Sequence, residues 1–600
     1  MRSEFNFEAL ERLKKYLAAI RLTHKSTLNH YVSKDQSGFY HQPQKPNSAS
    51  RSSTATCVSS LVHAGLWTSN FALWNRTHEV AETLLARPWK SAGLRANNSF
   101  TLAFIAEGVL DLQVAHPNYP QNQDHLKVLR NEIAPILLNK LRRTGSIAIP
   151  PYPASAYLTQ LVYRVLRRLD RIDEITSTLV HQWSLIEINK QLALLTANSR
   201  ISDPLQLAYS LIIAASSAPD EQTSPEEKQI FDSALQRFFT AQNDDGSWPY
   251  SRPLFHYPKV GNAYCFEYEL LTQLLRSQSL RPNLLPYLPK LNRATELLPR
   301  ISFDLDPQTP GRVVGWASGH HPQIEGPESW STASVYDFAH ALDRLVAEAV
   351  RREVFEELGA IYKPPTAPAS TIDATGFAPG FLDADLHYHG EVLSLRDTVA
   401  TRFVLPIARD AHLIAKGGSL PRTTPMSAIL FGPPGTSKTR LAAIISTFLG
   451  WPLLSLDPSY LVQEGLDRIQ AMANRLFSML TMTEEVVVLL DEFDEMGRDR
   501  TRNREVLSRF ITTAMLPKLA KINDERKLVF LLATNYVSGF DAAFSRGGRF
   551  DMLVQIMPPN LKAKLTNWPM LQEAISRMPP EKRDLASDQL ADLRADPNTS

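Results

Sequence analysis

The sequence predicts a multidomain chain: an all-α N-terminal part, an α/β part, and a short helical C-terminal segment. Three observations predict it. Upstream of about residue 360, apolar residues recur at helical spacing and strand-like alternation is scarce. The stretch IYKPPTAPAS (361–370) interrupts that pattern, because closely spaced prolines favour extended geometry and oppose helix continuation. Beyond it, short apolar runs alternate with helical segments, as in a parallel sheet covered on both faces. Six hundred residues also exceed what one hydrophobic core supports, so two or three domains are expected.

In the N-terminal part, helices are expected over residues 8–20, over 124–141 with a kink at Pro135, and over the stretch ending ALDRLVAEAVRREVFEELG. A weak repeat runs through this region, in which small or hydroxyl residues open a helix that continues into an apolar run. The segments are STATCVSSLVHAGL from Ser53, NNSFTLAFIAEGVL from Asn97, ASAYLTQLVYRVL from Ala154, SDPLQLAYSLIIAA from Ser202, GNAYCFEYELLTQLL from Gly261 and ESWSTASVYDFAHAL from Glu328. They recur at roughly 45 to 65 residues, which leaves room for one return helix each, as when helical hairpins stack around an axis. Between two of them, AQNDDGSWP (241–249) resembles the QW-type motif of α/α-toroids such as terpene cyclases. That resemblance implies an α/α-toroid-like domain over 51–360, after an N-terminal helix and loop over 1–50. A turn that packs one tryptophan accounts for Trp248 equally well.

After the seam at 361–372, the strand MSAILF runs into GPPGTSKT (432–439) and then the helix RLAAIISTFLG. A glycine-rich turn of this kind lets backbone N–H groups face phosphate oxygens, and the following helix adds its positive dipole end. Gly432, Pro433, Pro434, Gly435, Thr436, Ser437, Lys438, Thr439 and Arg440 are therefore the candidate ATP-binding residues. Lys438 is expected to reach the β- and γ-phosphates and Thr439 to ligate Mg²⁺. Ser437 stands where the common pattern has glycine, and its Cβ lies close to the phosphate path. About fifty residues on, EEVVVLLDEFDE reads as a buried central strand ending on Asp491 and Glu492. Open α/β sheets bind ligands at that strand edge, so Asp491 is assigned to the Mg²⁺ shell and Glu492 to polarising the attacking water as general base. A third strand, KLVFLLATN, ends on Asn535, placed to orient that water.

With FDAAFSRGGRFD (540–551) the order of motifs resembles that of AAA-family ATPases, over about residues 385–560 and including the preceding helix RDTVATRFVLPI. The resemblance implies that Arg546 and Arg549 are arginine fingers supplied to a neighbouring subunit, and hence a homo-oligomeric ring. It sets the AAA P-loop NTPase domain at 373–557, followed at 558–600 by a curtailed helical lid and a polar tail in which no sensor-2 arginine is placed. In LDPSYLVQEGLDRIQ (456–470), Tyr460 and Leu461 fit the aromatic–aliphatic pair that grips a threaded chain, but core packing of Tyr460 fits as well.

Composition narrows the partners. Sixty-four basic and 62 acidic residues leave +2, which gives no whole-chain attraction to nucleic acid. No run of about 18 apolar residues occurs, so no membrane span is expected, and the N-terminus lacks the unbroken apolar stretch of a signal peptide. Cys57 and Cys265 match no metal-ligand spacing, and reduced thiols in a cytoplasmic protein fit best. Neither His320–His321 nor His387/His389 has a converging carboxylate or cysteine in sequence, so no metal is assigned to them. Three readings of the work stay open: a remodelling ATPase whose helical domain selects a protein partner, a nucleotide-gated signalling or defence switch, and a toroid that is itself a cyclase-like enzyme. For the last, the nearest approach to a triple-aspartate acid motif is FDLDP (303–307), which lacks the final aspartate.

Overall fold

The computed structural model describes the chain apart from residues 1–5, 44–48, 87–97, 219–223, 250–251, 258–260, 307, 309–312, 320–325, 367–376, 378–383, 389–390, 416–417, 458–459, 462–464, 466–467, 492–514, 536–549, 560–572 and 596–600. The chain divides into two compact units, Met1–Ala349 and Val350–Ser600. The first is mostly helical: α1 Phe7–Asn29, α2 Arg51–His63, α3 Thr77–Leu85, α4 Asn98–Ala115, α5 Asn122–Val128, α6 Ala134–Thr144, α7 Ala156–Arg168, α8 Glu174–Thr196, α9 Pro204–Ser217, α10 Pro225–Thr240, α11 Glu267–Arg276 and α12 Leu288–Leu297. The helix α13, Ser329–Glu357, begins in this unit and its last turns belong to the second.

The hydroxyl and acidic residues at the helix starts work as caps. Ser50, Ser155, Asp203 and Ser224 each accept a hydrogen bond from the backbone N–H three residues on, at the starts of α2, α7, α9 and α10. Near Pro135 the backbone forms a wide turn, Leu129–Ile133, and the proline falls in the first turn of α6, where its missing N–H costs no helical bond. The segment from Gly261 does not begin as a helix. Gly261 and Asn262 are weak helix formers and pair as strand β2 (Gly261–Ala263) with β1 (Phe255–Tyr257) before α11 begins. A second hairpin joins β3 (Ser302–Asp304) to β4 (Val314–Trp316) and carries the FDLDP stretch, with Phe303 exposed.

Helices α2, α4, α7, α9 and α11 pack in succession. From α11, Arg276 reaches Asp337 of α13 at 3.2 Å. From α2, the Ser60 hydroxyl donates to Ala333 O of α13 at 3.1 Å, so the last helix of the series touches the first. Others lie outside this series: α8 packs on α9, and Arg21 of α1 pairs with Asp343 of α13 at 2.7 Å. The Ala241–Pro249 stretch acts as a packing turn. Trp248 stacks on Phe238, with centroids 4.9 Å apart, and donates to its carbonyl, while Gln242 donates to Lys290 O at 2.9 Å.

The second unit contains a hairpin of β5 (Asp385–Tyr388) and β6 (Glu391–Ser394) and a five-stranded, all-parallel sheet. Its strands are β7 Ser427–Phe431, β8 Leu453–Leu456, β9 Val487–Leu490, β10 Val529–Thr534 and β11 Met552–Gln555, in the spatial order β11–β7–β10–β9–β8. The runs read as strands are interior ones: every residue of β9 and β10 is buried, as continuous apolar runs require in a sheet covered on both faces. Leu441, Ile445 and Phe448 of the helix Lys438–Leu449 share one core with Leu430, Leu489 and Leu531. Val399, Phe403 and Ile407 join it from the RDTVATRFVLPI segment. Arg351, 1% exposed, belongs to the last turns of α13, donates to Glu484 O at 3.1 Å and lies 3.4 Å from Glu485 Oε2. The C-terminal helix is Pro580–Ala595. Cys57 and Cys265 are both buried and form no disulfide, and no helix among the described residues is long and apolar enough to cross a membrane.

Candidate functional site

Strand β7 delivers the chain to a tight loop that only particular residues allow. Gly432 has φ +154, and a Cβ there would lie 2.0 Å from the carbonyl oxygen of Ile556, so backbone and backbone meet where any side chain would collide. Gly435, at φ +80, has open space where a Cβ would point, so its glycine serves the conformation and leaves the loop face uncovered. Ser437 is left-handed too, at φ 67, ψ 30. That explains why glycine is the common residue at this position: an L-residue there carries steric strain of about 1–2 kcal/mol. The helix Lys438–Leu449 starts at Ser437 with no side-chain cap, so the N–H groups of its first turn are presented with the positive end of the helix dipole, the arrangement that suits an anion.

The polar side chains expected to share a site do meet. Lys438 is buried, and its ammonium donates to Gly432 O at 2.9 Å, to Pro433 O at 3.0 Å and to Asn535 Oδ1 at 2.8 Å. Thr439 Oγ1 donates to Asp491 Oδ2 at 2.6 Å. The sheet explains these meetings, because β7, β10 and β9 are parallel neighbours and their C-terminal ends lie side by side. A cleft of about 390 Å³ opens there, lined by Pro434 through Arg440 together with Asp491, Thr534 and Asn535. Gly432 and Pro433 frame it through their contacts with Lys438. A hydroxyl and a carboxylate in contact form an oxygen donor pair suited to a hard divalent cation such as Mg²⁺.

Glu492, Arg546 and Arg549 lie outside the described residues, as do His320, His321 and His389; His387 sits on β5. Leu461 is only 1% exposed and Tyr460 is half-buried, so at least the aliphatic member of the Tyr460–Leu461 pair is a packing residue here. Asp551, the last residue of FDAAFSRGGRFD, anchors the sheet. Its carboxylate accepts from Met426 N at 2.7 Å, Ser427 N at 3.1 Å and Asn523 Nδ2 at 3.2 Å, which pins the start of β7. No sequence pattern announces that contact, because its partners are 125 and 28 residues away. In the first unit, His78, Glu82 and His125 bring possible metal-ligand atoms within 4.8 Å of one another. Within that group His125 Nε2 lies 3.0 Å from Glu82 Oε1, and His78 stacks on His125.

Taken together, a strand, a glycine loop and an uncapped helix that bring lysine, threonine, aspartate and asparagine to one sheet edge define a P-loop nucleotide-binding domain. Comparison with known proteins narrows the class. Residues 428–558 match the family described as ATPase family associated with various cellular activities (AAA), and this chain carries an AAA-family ATPase domain. Among similar proteins are the ATP-dependent zinc metalloprotease FtsH of Lachnoclostridium phytofermentans, 30% identical over 25% of this chain and 26% of that protein. Proteasome-activating nucleotidase 2 of Haloferax volcanii is 29% identical over 23% of this chain and 35% of its own length. The ATPase family gene 2 protein of Saccharomyces cerevisiae is 28% identical over 33% of this chain and 24% of its own. The chain thus spans between 24% and 35% of the length of these relatives.

Proposed function

We propose that the protein hydrolyses ATP at this cleft and uses the energy, as a homo-oligomeric ring, to remodel a protein partner recognised by its N-terminal helical unit. One observation carries the nucleotide part: Lys438 and Asn535, 97 residues apart, are hydrogen-bonded in the cleft where Thr439 meets Asp491. ATP phosphates would be held by the loop N–H groups and Lys438, with Arg440 at the rim. Thr439 and Asp491 would hold Mg²⁺, which would draw charge from the phosphates. Glu492 takes the proton of the attacking water and Asn535 orients that water. Arg546 and Arg549 act on the neighbouring subunit's γ-phosphate.

The remodelling reading is favoured over a nucleotide-gated switch by relatives named for proteasome activation and for ATP-dependent proteolysis. The closed succession of α2, α4, α7, α9, α11 and α13 supports an α/α-toroid reading of the N-terminal unit. We keep its bounds at 51–360, with the proline-rich 361–372 as linker. The test uses two variants. Lys438→Ala should lose ATP binding by at least tenfold, because its charge-assisted contacts to phosphate have no substitute in the loop. Glu492→Gln should bind ATP, fail to hydrolyse it, and retain the partner in a pull-down. Wild-type affinity in the first variant would remove the P-loop assignment, and wild-type turnover in the second would move the base elsewhere.

A further inference from the structure

Two histidines and a glutamate that the nucleotide chemistry does not use meet in the first unit. His78 and Glu82 stand four residues apart on α3, a spacing that puts both side chains on one helical face. His125 comes to them from α5, 43 residues beyond Glu82. Each of the three offers a metal-ligating atom, and these atoms all lie within 4.8 Å of one another. His125 Nε2 is already 3.0 Å from Glu82 Oε1. Tetrahedral zinc holds its ligand atoms at about 2.0–2.2 Å and so spaces them about 3.3–3.6 Å apart, a figure the observed separations bracket. The Glu82 side chain is 58% exposed and can turn to make up the difference. The rings agree with this geometry. Two imidazoles on one tetrahedral zinc have centroids about 5 Å apart, and those of His78 and His125 are 5.5 Å apart, with planes 15° from parallel. His78 also stacks with Tyr119 at 5.7 Å, so packing sets its orientation before any ion arrives.

We propose that His78, Glu82 and His125 bind Zn²⁺, with water in the fourth position. An ion pair alone gathers fewer groups: one imidazolium balances the carboxylate, and a second imidazole within reach adds repulsion when it is protonated. A divalent cation draws all three together through two neutral imidazole nitrogens and a carboxylate oxygen. That donor set also selects the ion, because imidazole suits zinc whereas Mg²⁺ and Ca²⁺ favour shells of oxygen. The exposed carboxylate opens the site to solvent, which gives the ion its entry path. Bound there, the ion cross-links α3 to α5 and stabilises the first unit by mass action. The site shares no residue with the nucleotide cleft.

The test is calorimetric titration of Zn²⁺ into the tag-free full-length protein after metal has been stripped with a chelator. Expected is one saturable equivalent that excess Mg²⁺ does not displace, with affinity roughly tenfold or more weaker in His78→Ala and in Glu82→Gln. Glu82→Gln changes an exposed position, and a matching circular-dichroism spectrum verifies the fold of both variants. Co²⁺ serves as a second reporter: visible ligand-field bands of a four-coordinate ion should appear with the wild type and be lost in both variants. The zinc equivalent should persist in Asp491→Asn, and its loss there would assign the ion to the nucleotide cleft and overturn the proposal. Absence of saturable Zn²⁺ binding, or wild-type affinity in either His78→Ala or Glu82→Gln, overturns it as well and leaves the group as an ion pair with ring packing.

Discussion

Ser437 shows how one dihedral angle carries a functional signal. Its left-handed backbone places a side chain where the loop geometry asks for none, and the strain is borne at the phosphate-binding turn. Removing the Cβ should relieve it: Ser437→Gly is expected to stabilise the nucleotide-binding unit by about 1 kcal/mol and to leave ATP turnover unchanged or raised. Thermal melting and a steady-state ATPase assay check both halves. A tenfold loss of turnover would mean that the hydroxyl itself is needed. Asp551, in contrast, works through the backbone it holds. Asp551→Ala leaves Met426 N, Ser427 N and Asn523 without their acceptor, at a cost of about 2 kcal/mol. Its melting temperature should fall while nucleotide affinity, measured well below the transition, stays near wild type; lost affinity with unchanged melting would give Asp551 a direct role.

Among the elements, the first turn of α11 responds to pH. Burial raises Glu267 and Glu269 from 4.5 to about 7, against hydrogen bonds that pull the other way, so the fold prefers their protonated forms. The sign follows. Their effect is absent below about 4.5, and stability is lost as pH rises from there through 7. Around Glu269 stand Tyr157, Arg164, Glu107 and Asp337, and only the arginine opposes the rise by its charge. The melting temperature of the N-terminal unit should therefore fall between pH 5.5 and pH 8, and Glu269→Gln should reduce the fall. An equal fall in that variant would place the titration elsewhere.

For the whole molecule, the proposed ring makes hydrolysis a property of assembly. Arg546 and Arg549 follow the Asn535 strand in sequence, and in the AAA arrangement their segment faces the neighbouring subunit. Specific ATPase activity should then rise with protein concentration. Arg549→Ala should bind ATP and hydrolyse it at least a hundredfold more slowly, and mixing it with Lys438→Ala should restore part of the activity. The rescue follows because an Arg549→Ala subunit keeps its pocket and borrows the arginine of its neighbour. Activity independent of concentration, with no rescue once subunit exchange is verified, would place the arginine in cis or make it dispensable.

Sequence alone pointed to the proposed nucleotide cleft, since its chemistry is written in local runs: a glycine loop between strand and helix, and apolar strands that end on polar residues. It also marked several helix starts, near Ser53, Asn97, Ala154 and Ser202, but not the one near Gly261, where the chain opens as a strand. Only the tertiary structure decided what depends on distant partners. The order β11–β7–β10–β9–β8 brings Asn535 to Lys438, and Asp551 meets β7 across 125 residues. A cavity of about 60 Å³ among α2, α4, α7, α9, α11 and α13 was illegible for the same reason. Glu107, Tyr157, Arg164, Tyr209 and Glu269 come from four helices and read in sequence as ordinary solvated or packed positions. Closure of the helix series turns them toward one another, and burial then changes their chemistry.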